Sequence, residues 1–155
     1  MTTMFLTEAY IAIEIGFVDQ NAVIDVVEAY ASRQRELDDE LAEILWINRK
    51  RLDELHRVGS LVRHFIEKTS PDCDFRGLVA EEFARRCFER RLHQYLAGTC
   101  TPWGVCKMVT PIESMFDFPR WLGNMYNLCD WIEPETPATD CRHLEEGIRE
   151  VLDGA

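Results

Sequence analysis

Apolar residues return every three or four positions along most of this chain, the spacing of helices that bury one face. Over residues 4–16, Leu6, Tyr10, Ile13 and Phe17 take that spacing. Ile11, Ile13 and Ile15 also alternate as a strand would, but Glu8, Ala9 and Ala12 favour a helix, which Gly16 ends. Asp19 is placed to cap a second helix with Val23, Val26, Val27 and Tyr30 inward. Leu37, Leu41, Ile44, Leu45, Leu52, Leu55, Val62 and Phe65 then predict one or two long amphipathic helices, with Gly59-Ser60 as the place for a kink. Thr69-Ser70-Pro71 stops that series. Asp74 opens a further helix whose inner stripe is Leu78, Val79, Phe83, Cys87, Leu92 and Leu96, closed by Gly98.

Start signals are sharpest in the next stretch. Thr101-Pro102 is an N-cap followed by proline at the first helical position. Thr110-Pro111-Ile112-Glu113 repeats this and adds a capping box, with Glu113 reaching back to the Thr110 amide. A helical segment over Trp121–Trp131, a loop at 133–137, and a last helix opened by Thr139 or Asp140 complete the chain, with Leu144, Ile148 and Leu152 inward. The fold expected is all-α, a compact helical bundle of six or seven helices in a single domain over residues 1–155. Gly16, Val23 and Val27, with Asp19 between them, recur at the same offsets as Gly98, Val105 and Val109, with Thr101 between them. That echo is either an old duplication or shared helix–turn–helix grammar.

Composition narrows the class. The chain has 155 residues, 46% of them hydrophobic, which suits one globular domain rather than a disordered chain. No apolar run reaches the ~18 residues of a membrane span. The start, MTTMFLTEAY, carries no basic stretch before its apolar residues, so no secretory signal is expected. Six cysteines would suit a disulfide framework in a smaller secreted domain, but Cys87, Cys106, Cys129 and Cys141 all fall at core-facing helical positions. They are expected to be reduced, buried small hydrophobes in a cytoplasmic protein.

Charge changes the picture more. The formal net charge is −11, which argues against nucleic acid as the direct ligand. It is also uneven: −5 over residues 1–30, −3 over 31–48, +3 over 49–100, zero over 101–129 and −6 over 130–155. Two acidic ends thus flank a mildly basic middle. Either the ends neutralise the middle within the molecule, or an acidic face steers a cationic protein towards it.

Catalytic and metal signatures are thin. No Cys-x-x-Cys occurs, and the spacings among His93, Cys100, Cys106, Cys141 and His143 match no zinc template. Asp53-Glu-Leu-His56 and Asp140-Cys-Arg-His143 approach a bundle-type metal motif but lack its glutamates. Cys87 has Arg85, Arg86, Arg90 and Arg91 as neighbours that lower a thiol pKa, yet it belongs to the apolar stripe. Phe88 within that arginine run is compatible with RNA contact, but a solvated helix face fits an acidic protein better. No enzyme activity, metal or cofactor is expected.

The remaining signal is aromatic. Phe116, Phe118, Trp121, Tyr126 and Trp131 crowd residues 111–135, with carboxylates beside them. Aromatic anchors edged by charge are the composition of protein interfaces, though the same residues would also complete a bundle core. Leu122-x-x-Met-Tyr-Asn-Leu-Cys-Asp-Trp131, an acidic loop and His143-Leu-Glu-Glu-Gly-Ile-Arg-Glu-Val-Leu152 resemble the C-terminal end of small bacterial immunity proteins of the colicin D and contact-dependent growth inhibition type. Tyr95-Leu-Ala-Gly98 with Thr101 and Val105 is similar to their helix–glycine–cap–helix unit. The resemblance implies a non-enzymatic, all-helical cytoplasmic inhibitor whose acidic surface covers the cationic site of a toxin, often a nuclease. The partner-binding candidates are Tyr126, Asp130, Trp131, Glu133, Glu135, Asp140, Glu145 and Glu146. The rivals are a nucleic-acid-mimicking phage-type inhibitor or helical adaptor, a metal-dependent bundle enzyme using His56 and His143, and a homodimer joined at the aromatic patch.

Overall fold

A computed structural model describes residues 5–154, and the helices it shows are shorter and more numerous than the periodicity predicts. Met4, where the first helix was expected to begin, lies outside the described residues, as do the other positions of the MTTM start. Ten α-helical segments and two 3-10 turns are present among the described residues, with no strand. The all-α class is therefore the observed one. The chain divides into two units: the chain up to Glu14 with Val18–Ala80, and Ile15–Phe17 with the chain from Glu81 onward.

The first unit contains α1 (Leu6–Glu14), α2 (Gln20–Ala31), α3 (Asp39–Leu45), α4 (Leu52–Leu55) and α5 (Arg57–Thr69). Asp19 caps α2 as expected, its carboxylate accepting the Ala22 amide at 2.9 Å. α5 packs against α1, α2 and α3, so Val58, Val62, Phe65 and Ile66 share a core with Tyr10, Ile11, Val23, Val27, Leu41 and Ile44. Each such side chain, fully buried, contributes about 1.5–3 kcal/mol.

The predicted long helix over 37–65 is broken in three, and not at Gly59-Ser60, which lie inside α5. The first break follows Trp46, where the Asn48 side chain accepts the Lys50 amide at 3.0 Å and offers the backbone a turn in place of a helix. The second falls at His56. Leu37 and Leu52, expected inward, are exposed as a result.

α6 (Leu78–Leu96) starts four residues later than expected, because Asp74 closes a turn onto the Arg76 amide at 2.9 Å. Leu78 and Val79 are 84% and 87% exposed, and the buried stripe is instead Ala80, Ala84, Cys87, Phe88 and Leu92. Phe88, which the arginine run put on a solvated face, is fully buried.

The second unit takes α6 from Glu81 and adds α7 (Pro102–Cys106), α8 (Val109–Phe116), α9 (Met125–Cys129) and α10 (Arg142–Asp153). Thr101 caps α7, accepting the Gly104 amide at 3.1 Å. α8 begins one residue before Thr110, so no capping box forms, and Glu113 is buried instead of reaching back. Burial of Met108, Val109 and Ile112 sets that register. Arg91 ties the short Ile15–Phe17 piece to this unit: its guanidinium donates to the Phe17 and Gly104 carbonyls and lies 5.1 Å from the Phe17 ring centre.

Cys106 and Cys129 are not the reduced pair the sequence suggested. They form a disulfide between α7 and α9, with Cα atoms 5.3 Å apart. Twenty-three positions separate them in sequence, and only the packing of α7 on α9 brings them together.

Candidate functional site

The Trp121–Trp131 segment is interrupted. A 3-10 turn at Arg120–Leu122 and Gly123 precede α9, which has five residues. Leu122 and Met125 are buried and Cys129 is held by its disulfide. With those positions inward, the helical period turns Tyr126 outward and places Asp130 one turn beyond it. Tyr126 is 52% exposed.

Trp131 follows at the end of α9, 49% exposed. Its ring lies 5.0 Å from that of His143 on α10, tilted by 35°. His143 Nε2 is 3.2 Å from the Leu128 carbonyl and donates to it when that nitrogen carries the proton. Gly147 lets Leu128 seat against α10, since a Cβ at that position would overlap the Leu128 side chain. Leu128 thus ties the end of α9 that carries Trp131 to α10.

The carboxylates follow in the connection. Buried Ile132 pins its start, and Glu133 and Thr136 exchange two hydrogen bonds, Glu133 N–H to Thr136 Oγ1 at 2.9 Å and Thr136 N–H to the Glu133 carbonyl at 3.1 Å. That turn leaves Glu133 and Glu135 exposed. Asp140 ends the second 3-10 turn, Ala138–Asp140. Glu145 lies in the first turn of α10, where the helix dipole favours negative charge, and Glu146 follows it. Neither Thr139 nor Asp140 caps α10 with its side chain; Cys141 occupies the N-cap without doing so. All eight candidates are exposed, and they occupy α9, the α9–α10 connection and the start of α10, elements that pack on each other.

The ion pairs divide the acidic ends sharply. In the first unit Arg49 holds Asp25 at 2.8 Å and Glu28 at 3.4 Å, Lys68 holds Asp38 at 2.6 Å and Glu40 at 2.7 Å, and Arg57 pairs with Glu43. Five of the ten acids in residues 1–48 are therefore neutralised by bases of the middle segment. Asp38 is held below the usual carboxylate range by its hydrogen bond with Glu40, then by that with Lys68. Of the eight acids in residues 130–155, only Glu145 has an ion-pair partner among the described residues, Arg149 at 2.9 Å. The other seven carry charge that no ion pair among the described residues offsets.

The crowded aromatics separate into two kinds. Trp121 is half-buried, its indole N–H donating to Glu81 at 3.2 Å and its ring 6.1 Å from that of Phe88. Phe118, one of the crowded aromatics but not among the binding candidates, is 72% exposed and has φ of 53° directly after Asp117 at 54°. It precedes Pro119, a position that ordinarily favours extended backbone.

Burial raises the thiol pKa of Cys100 and of Cys141, which keeps both protonated and poorly nucleophilic. Cys87, the best-placed thiol on charge, is buried. Asp53 of the Asp53–His56 string is engaged by Arg51 at 2.9 Å, and His143 of the Asp140–His143 string is committed to Trp131 and the Leu128 carbonyl. Among the described residues no three His, Cys, Asp or Glu side chains gather as a metal site. No described helix is long and apolar enough to cross a membrane. No protein-family model, curated protein or solved structure matches the chain.

Proposed function

We propose that this protein is a non-enzymatic binding inhibitor that covers a basic face of another protein with its C-terminal carboxylates, most concretely an immunity protein for a basic toxin domain of nuclease type. The observation that carries the reading is the set of exposed acids Asp130, Glu133, Glu135, Asp140 and Glu146, without ion-pair partners among the described residues, beside half-exposed Tyr126 and Trp131. Unpaired carboxylates speed encounter with a cationic partner, and aromatic anchors supply hot-spot energies of about 2 kcal/mol or more each. The resemblance of residues 95–152 to colicin D-type immunity proteins points the same way.

Such an inhibitor acts in the cytoplasm of the cell it protects. The Cys106–Cys129 bond pulls against that placement, since disulfides persist mainly in oxidising compartments. Thiol trapping in freshly lysed cells discriminates: an alkylated Cys106 supports the cytoplasm, and an intact bond supports an exported protein.

Co-expression with the product of the gene directly upstream tests the function. Rescued growth and a copurifying complex support it. No protection and no complex removes it.

A further inference from the structure

The first unit contains a cleft of about 680 Å³ bounded by α1, α2 and α5. Its volume lies within the range of small-molecule sites. Leu6, Val26, Phe65 and Ile66 supply apolar wall, and the Tyr30 and Phe65 rings meet edge-on there at 6.0 Å. Two charged side chains reach it, Asp25 and Arg33. They differ in what they are free to do. The Asp25 carboxylate is neutralised by Arg49 at 2.8 Å. Arg33 is exposed and makes no ion pair among the described residues, although half the acids of this end of the chain have found one. Its backbone amide donates to the Tyr30 carbonyl at 3.1 Å, which fixes the guanidinium's root just past the end of α2. The cleft therefore joins an apolar body to one uncompensated cation, in a protein otherwise short of positive charge.

We propose that this cleft binds a small amphipathic carboxylate such as a medium-chain fatty acid, its alkyl body against Tyr30 and Phe65 and its carboxylate on Arg33. A guanidinium fork matches a carboxylate with two parallel hydrogen bonds, a geometry an alcohol or an ammonium headgroup does not offer. Nothing in this site depends on the inhibitor reading of the second unit.

Titration of the full-length protein with decanoate, decanol and decyltrimethylammonium, followed by amide NMR, tests it. Decanoate saturates with shifts concentrated in α1, α2 and α5. Arg33→Gln weakens decanoate about tenfold or more and leaves decanol within a factor of two. Val26→Trp, which places a ring in the cleft, removes binding of both. Three results overturn the proposal: no saturable decanoate binding, decyltrimethylammonium binding as tightly as decanoate, or equal losses for decanoate and decanol in Arg33→Gln. Arg33 is a surface residue, so its variant keeps the test decisive even if Val26→Trp fails to fold.

Discussion

Phe118 and Asp117 both adopt left-handed backbone, which for a bulky side chain costs roughly 1–2 kcal/mol. Glycine at 118 relieves that strain and loses about 0.5–1 kcal/mol through the freer unfolded chain. Phe118→Gly is therefore expected to leave the denaturation midpoint unchanged or slightly raised. A loss beyond about 1 kcal/mol would show that the exposed ring makes contacts that stabilise the fold. Glu113 presents the opposite case. Burial raises its pKa, so the ionised form opposes folding. That penalty is fully present above the folded pKa and absent below the ordinary carboxylate range, about pH 4. Glu113→Gln should raise the melting temperature at pH 7, with the gain shrinking to nothing on acidification. An equal gain at every pH would assign the effect to packing. The residue was read in sequence as a cap, since Thr-Pro-x-Glu is a start signal. The burial of its neighbours Met108, Val109 and Ile112 overrode the signal.

Among the elements, two of the caps that sequence grammar identified, Asp19 and Thr101, are made, while the Thr110 capping box and a Thr139 or Asp140 cap on α10 are not. Gly16 and Gly98 have φ of 74° and 77°, Asp19 and Thr101 each accept an amide three residues on, and Val23, Val27, Val105 and Val109 are all buried. The echo ends there, because α2 runs on to Ala31 while α7 stops at Cys106. Thr101→Ala is expected to cost about 1 kcal/mol in urea unfolding. No measurable change would mean that Pro102 and burial hold α7 without the cap. The α7–α9 disulfide is larger in consequence. Closing a loop of this length contributes about 3 kcal/mol through the unfolded chain, so Cys106→Ala with Cys129→Ala should lower thermal stability by that order. The wild type in dithiothreitol should match the double variant, and insensitivity of both would argue that the bond is dispensable. Local signals made caps and stops readable because they act over three or four residues. The disulfide was not readable, because it depends on α7 packing on α9, whereas the break after Trp46 and the late start of α6 come from Asn48 and Asp74 turns that compete locally with the helical period.

Across the whole molecule the charge is best understood by what neutralises it. Exposed ion pairs contribute only about 0.2–1 kcal/mol each, so the pairs of the first unit matter less for stability than for removing field. The largest share left unpaired lies from Asp130 onward, where seven of eight acids have no ion-pair partner among the described residues, against five of ten in residues 1–48. Reversing Asp130, Glu133 and Glu135 to lysine together should leave the melting temperature within about 1 kcal/mol equivalent, since these side chains are exposed and unpaired. The triple variant should also slow association with a basic partner tenfold or more at low salt, with the difference fading as salt rises. Stopped-flow association at two ionic strengths checks this, and a rate insensitive to both changes would place the interface elsewhere.

Sequence by itself determined the helical class, the caps at Asp19 and Thr101 and the location of the acidic ends. These depend on period, on residue type at single positions and on counting, all local properties. Tertiary structure decided which apolar stripe of α6 faces inward, which cysteines meet, that Trp121 is half-buried against Phe88 while Tyr126 and Trp131 stay exposed, and which acidic end keeps more of its charge unpaired. Each of those depends on residues distant in sequence competing for the same neighbours, and a neighbour is chosen only when the chain has folded.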